Sequence, residues 1–171
     1  MKKTIINDRK ILFNRWYRKP LIELENEKMI PNKDGGFVVL AVSCLLYEGY
    51  VTKFLNKTSH RTKYRIPDTS MRGRLSIDFN TDKNTAKIFW NVIRNGLLHC
   101  GTPKQKEPNG TELPVWQIYD EDIPFKLSDD SKKVYVNIWK IRDRVFELYD
   151  NNPDLIGYDD AYPWGHIWYQ E

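Results

Sequence analysis

The chain has 171 residues, 40% of them apolar and 29% charged, and carries a formal net charge of +4. That length suits one compact domain, and six Trp, ten Tyr and seven Phe exclude a disordered chain. No unbroken apolar run reaches the roughly 18 residues of a membrane span. The basic start MKKTIINDRK has no apolar signal core behind it, so the expectation is a cytoplasmic domain without a membrane partner.

Residues 6–28 are predicted to be helical. Ile11, Leu12, Trp16, Leu21, Leu24 and Met29 recur at mixed spacings of three to five, and Pro20 starts a new turn or kinks the run. Residues 31–36, PNKDGG, break it. A second helix is predicted over Phe37–Lys57. It is apolar nearly all the way round, with Glu48 as its only charge before Lys53, and so is expected to be buried on more than one side. Residues 58–83 read as a long basic loop, with at most a short strand at Leu75, Ile77 and Phe79. Asp82 or Asn84 is placed to cap a third helix that runs to about Cys100, where Gly101 and Pro103 stop it.

Residues 114–136 read as short strands around acidic turns, a small antiparallel sheet. A fourth helix follows over Asn137–Asn151, with Val134, Ile138, Ile141, Val145 and Leu148 at steps of four and three. The aromatic tail, Gly157 to Tyr169, is expected to pack on the helices or on a partner. The fold class expected is mainly α: one domain, a bundle of about four to five helices with a small antiparallel β insert. Cys44 and Cys100 sit in apolar periodic stretches and are expected to be buried, reduced thiols rather than a disulfide framework.

The charge is divided along the chain, about +12 over residues 1–106 and about −8 over residues 107–171. The second basic cluster, Lys57, Arg61, Lys63, Arg65, Arg72 and Arg74, is a candidate nucleic-acid contact surface. A solvated helix face and a plain basic loop account for the same charges.

The third predicted helix carries the chemical signal. At 100° per residue, Ala86, Phe89, Trp90, Ile93, Gly96, Leu97 and Cys100 share one core-facing side. Ile88, Val92, Asn95 and His99 share a second face, and the long side chain of Arg94 reaches toward it. A guanidinium fork binds phosphate in bidentate fashion. An imidazole moves protons near neutral pH, and an amide orients it. Together they suit cleavage of a phosphodiester by its own 2′-hydroxyl, without a metal. The competing reading pairs Arg94 with Glu48 as a buried structural ion pair and makes His99 a satisfied core histidine.

Arg94-Asn95-Gly96-Leu97-Leu98-His99 resembles the Arg-X4–6-His motif of HEPN domains, including the polar residue that often follows the arginine. The order of helices around it is also HEPN-like over about residues 6–151. The resemblance implies a homodimer through the 84–100 helix and a metal-independent endoribonuclease in phage defence or a toxin system, with RNA or a nucleotide as ligand. It implies Arg94, Asn95 and His99 as catalytic residues, Glu48 as support for Arg94, no cofactor, and a protein antitoxin as a possible partner. Some HEPN toxins carry, two positions after the histidine, a tyrosine that a partner nucleotidyltransferase modifies; this chain has Gly101 there. Other members are non-catalytic modules that bind nucleotides or proteins, which is the alternative function. No spacing typical of a metal site, no phosphate-binding glycine loop and no GxSxG elbow is found.

Overall fold

A computed structural model describes residues 2–26, 35–59 and 67–156. They form a mainly helical fold with a small three-stranded sheet, in the order α1 (Lys2–Phe13), α2 (Lys19–Asn26), α3 (Gly36–Ser59), α4 (Asp68–Asp78), α5 (Lys83–Phe89), α6 (Asn95–Cys100), β1 (Val115–Ile118), β2 (Phe125–Leu127), β3 (Lys133–Val136) and α7 (Ile138–Asn151). A π-helical segment, Asn14–Arg18, joins α1 to α2, and a second, Trp90–Arg94, joins α5 to α6. The described residues therefore trace five helices, two of them locally widened. The first widening falls just before Pro20, where the sequence places a kink.

The centre of the molecule is α3 packed along α7. On α3, Val39, Leu40 and Val51 are fully buried; on α7, Ile141 and Val145 are. Aromatic rings tie the two helices to α1: Tyr149 lies 5.5 Å from Tyr50 and 4.8 Å from Phe13, and its hydroxyl donates to the Leu46 carbonyl at 2.8 Å. Arg142 of α7 is almost wholly buried, and four of its five guanidinium N–H groups are bonded. It donates to Glu25 at 2.6 Å, to Asp143 at 2.7 Å and to the Leu21 carbonyl at 3.3 Å. That clasp fixes α2 against α7.

Residues 68–78 correct one expectation. They are not loop or strand but the helix α4. Its buried apolar residues are Met71 and Leu75, followed by Phe79 just past its end, at steps of four, whereas Ile77 is exposed. The alternation of Leu75, Ile77 and Phe79 that suggests a strand is a by-product of that helical face. Asp78 at its end is buried and bonded by the Tyr47 hydroxyl at 3.0 Å and by Arg74 Nε at 2.8 Å.

The sheet also differs in detail. It is mixed, in the order β1-β3-β2: β2 runs antiparallel to β3, and β1 runs parallel to it with Trp116 opposite Val134. Val134 and Val136 are buried, and Phe125 stacks on Phe89 of α5 at 4.1 Å, which seats the sheet on the motif helix. Asn137 caps α7, accepting from the backbone of Trp139 and Lys140, and its amide donates to the Glu121 carbonyl at 2.7 Å.

One further expectation changes. Cys44 is buried, but Cys100, the last residue of its helix, is exposed. And α3 contains, over Gly36–Thr58, a stretch of 23 residues long and apolar enough by length and composition to cross a membrane. Only Glu48, Lys53 and Lys57 interrupt it, so its average hydropathy is high although its unbroken runs are short. In this fold it is the central core helix.

Candidate active site

The motif helix begins at Asp82, whose carboxylate accepts the backbone N–H of Asn84 at 2.8 Å and of Thr85 at 3.0 Å. These bonds and the Thr85 hydroxyl hold the Asp82 carboxyl below the usual carboxylate range. Ala86, Phe89, Trp90, Ile93 and Leu97 face the core, as their spacing implies. At Trp90 the helix widens: the Asn95 N–H bonds to the Trp90 carbonyl five residues back. The left-handed Gly101, at φ 71°, ends the helix where expected.

The widening changes which residues reach the surface. Val92, expected on the second face, is fully buried, and its carbonyl accepts the Lys104 N–H at 2.8 Å. The open side of the helix instead carries Asn91, Arg94, Asn95 and Leu98, all half-buried, followed by exposed His99. A π segment inside an α-helix recurs at functional sites because it re-aims side chains that a regular helix would place elsewhere.

Arg94 is held on three sides. Its Nη2 pairs with Glu48 Oε2 of α3, and its Nη1 donates to Asn95 Oδ1 at 2.7 Å. Its guanidinium lies 4.9 Å from the centre of the Trp90 ring. Its Nε is buried without a hydrogen-bond partner. The Arg94 side chain is 13% exposed and that of Glu48 36%, so the pair is partly open to solvent. Cys44, one turn before Glu48, shares this environment. Burial pushes its thiol up to about 12, against the opposing pull of Arg94.

The two competing readings of the motif thus each meet part of the geometry. Arg94 does pair with Glu48, yet His99 is exposed and is no core residue. Asn95 accepts from Arg94 and thereby orients the guanidinium rather than the imidazole.

The basic candidates separate as well. Arg74 is bonded to buried Asp78 and lies 4.0 Å from the centre of the Phe54 ring. Lys57 pairs with Asp154. Arg72 donates to Asn91 Oδ1 at 3.0 Å, which brings it to the open side of the motif helix. Arg61, Lys63 and Arg65, and the aromatic tail, lie outside the described residues.

Three residues of this region were not singled out by their types: Gly96, Asn91 and Lys104. A Cβ on Gly96 would lie 2.3 Å from the Lys104 nitrogen and 2.6 Å from Pro103 Cα, so only glycine lets the 101–104 segment return across the helix. A glycine inside an otherwise apolar helical run is the available signal for such an approach.

Among the described residues no group of three or more His, Cys, Asp or Glu could hold a metal ion. A cavity of about 350 Å³ lies elsewhere, between the turn after α4 and the sheet, lined by Phe79, Asn80, Thr85, Phe125 and Lys126. None of the catalytic candidates lines it. No family model, curated protein or solved structure matches this chain.

Proposed function

We propose that the protein is a metal-independent endoribonuclease of HEPN type that acts as a homodimer. The observation that carries the reading is the partly exposed Arg94, oriented by Glu48, Asn95 and Trp90, with exposed His99 five residues on along the same helix. A guanidinium held in place before substrate arrives stabilises charge that develops on a phosphate, without reorganisation.

The chemistry balances without a metal. Neutral His99 accepts the proton of the 2′-hydroxyl as the oxygen attacks phosphorus. The bond from phosphorus to the 5′-oxygen breaks, and an imidazolium, that of the second copy, donates a proton to the leaving oxygen. The products are a 2′,3′-cyclic phosphate and a 5′-hydroxyl. Arg94 binds the non-bridging oxygens through the N–H groups that Glu48 and Asn95 leave free.

The dimer reading has a surface to use. Val38 and Leu45, seven residues apart on α3, are about half exposed, and Phe37 is exposed beside them. Glu48 continues that stripe and joins it to Arg94. An apolar stripe that borders the paired charges suits a second copy of the same face.

The test is incubation of RNA with the protein in EDTA, comparing the wild type with Arg94→Ala and His99→Ala whose fold is checked by circular dichroism. Cleavage that survives EDTA and falls by about 10²-fold or more in each variant is the expected result. Cleavage retained in both variants overturns it. The second reading, a non-catalytic module that binds a nucleotide, is favoured by one observation: Glu48 already neutralises Arg94. Salt-sensitive binding without cleavage would select it.

A further inference from the structure

We infer that the cavity between the turn after α4 and the β2–β3 turn is a binding site for an uncharged nucleobase, taken as a free nucleoside or as one base of an RNA. The inference stands apart from the reading of Arg94 and His99, since neither residue lines this cavity.

The cavity holds about 350 Å³, near the small end of the roughly 300–1,000 Å³ typical of small-molecule sites. Its floor is apolar and closely packed. Phe79 and Phe125 are buried there with ring centres 5.3 Å apart, and Phe125 stacks on Phe89 at 4.1 Å. Its rim is polar: Asn80, Asn84 and Ser131 are exposed, and Thr81 is half-buried. An apolar floor under a polar rim suits a flat heterocycle, whose faces are apolar and whose edge carries donors and acceptors.

The charged groups at the cavity are already committed. Asp82 accepts the N–H groups of Asn84 and Thr85 and the Thr85 hydroxyl. Lys126 donates to Glu121 at 2.5 Å and lies against the rings of Tyr119 and Tyr135. The uncharged groups are not committed. Among the described residues, the Asn80 and Asn84 amides and the Thr81 and Ser131 hydroxyls have no hydrogen-bond partner. A phosphate or carboxylate therefore meets no uncommitted cation of the described residues here. The two amides favour a base over a sugar, because a side-chain amide sets a donor beside an acceptor, the pairing that reads a base edge in bidentate fashion.

The backbone also marks a built site. Asn80 and Ser131, at φ 48° and 56°, are the two non-glycine residues in the left-handed region among the described residues. They belong to different turns, and both line this cavity. Asparagine tolerates that region, serine less so, and glycine would relieve both. Non-glycine residues held there cluster at ligand clamps.

The test titrates adenosine, guanosine, cytidine and uridine, each alone, into the isotope-labelled full chain and follows its backbone amide signals by NMR. Saturating shifts at Asn80, Thr81, Asn84 and Ser131 with one or more of them are expected at millimolar concentration or below. Asn80→Gly removes an amide and relieves the backbone, and Asn84→Ala changes an exposed position, so both keep the fold. Each should weaken that nucleoside about tenfold. A non-cleavable 2′-O-methyl oligonucleotide that displaces the nucleoside assigns the site to a base within RNA. Nucleoside binding that the oligonucleotide leaves untouched assigns it to the free nucleoside.

Shifts with none of the nucleosides, equal shifts with glucose, or an affinity unchanged in both variants would overturn the inference. RNA cleavage in EDTA is read separately. Nucleoside binding by a wild type that cuts no RNA supports this site and overturns the nuclease reading; cleavage without nucleoside binding does the reverse.

Discussion

Two arginines, Arg142 and Arg94, sit at two seams of the same bundle and are used differently. Arg142 lies between α2 and α7, is almost fully buried, and has carboxylates, a backbone carbonyl and the face of Trp139 around it. Arg94 lies between α3 and α6, with a half-open carboxylate, one amide and a buried Nε that bonds to nothing. The first arrangement leaves only one of five N–H groups unbonded, in a buried side chain. The second leaves donors unbonded in a side chain that is partly open to solvent, five residues before an exposed histidine. Near-complete bonding of a buried guanidinium fits an architectural role, whereas the donors that Arg94 keeps unbonded are what the proposed phosphate-binding role requires.

Substitutions can break or sharpen that contrast. The largest loss of stability is expected at the architectural pairs. Arg74→Ala would strand the buried Asp78 carboxylate, at a cost of about 3–5 kcal/mol in urea unfolding. A variant that unfolds at the wild-type midpoint would contradict this account of α4. Gly96→Ala follows, at about 3 kcal/mol, because its Cβ would meet the returning backbone at Lys104. Thermal melting checks it, and an unchanged melting temperature would show that the 101–104 segment moves freely.

Arg142→Ala should cost about 2 kcal/mol, less than Arg74→Ala, since Glu25 and Asp143 are open enough to rehydrate. Arg94→Ala should cost only about 1 kcal/mol, because Glu48 is also partly solvated. Its effect belongs in activity instead. Equal destabilisation by Arg94→Ala and Arg142→Ala would erase the distinction between the two seams.

A further effect is on pH dependence. Burial raises the Cys44 thiol from 9.0 to about 12, so the folded state keeps a proton that the unfolded chain releases. Between those values the native state binds more protons, and stability falls as pH rises, by about 1.4 kcal/mol per pH unit from this group. Burial raises Tyr47 in the same direction. Urea midpoints at pH 8 and pH 10 should show a loss, and Cys44→Ala should reduce it. Native thiol titration should label Cys100 and spare Cys44.

Much of this architecture was legible in the residues. Asp82 and Asn137 announce helix starts, and Gly101 announces a stop, because a cap needs a short acceptor side chain and a left-handed end needs glycine. Helix α4 was hidden by its composition. Arginines, serines and Gly73 surround the three buried residues Met71, Leu75 and Phe79, and an accidental alternation at 75–79 imitates a strand. The parallel pairing of β1 with β3 depends on a contact between distant segments that no local pattern encodes.

At the site, the types Arg94, Asn95, His99 and Glu48 were legible, as was the possibility that Glu48 takes Arg94. Their arrangement was not. A regular 100° wheel assigns Val92 to the open face, and the π segment removes it from there. The link from Arg72 to Asn91 joins residues 19 apart through a helix that the sequence did not announce.

The central claim is that Arg94 and His99 cleave RNA through its own 2′-hydroxyl. It is tested most directly by the end groups of mixed-sequence RNA fragments formed in EDTA and read by mass spectrometry. The account predicts 2′,3′-cyclic phosphates from the wild type and uncut RNA from His99→Ala. Fragments that end in 3′-hydroxyls, or equal cutting by the folded His99→Ala variant, would contradict it.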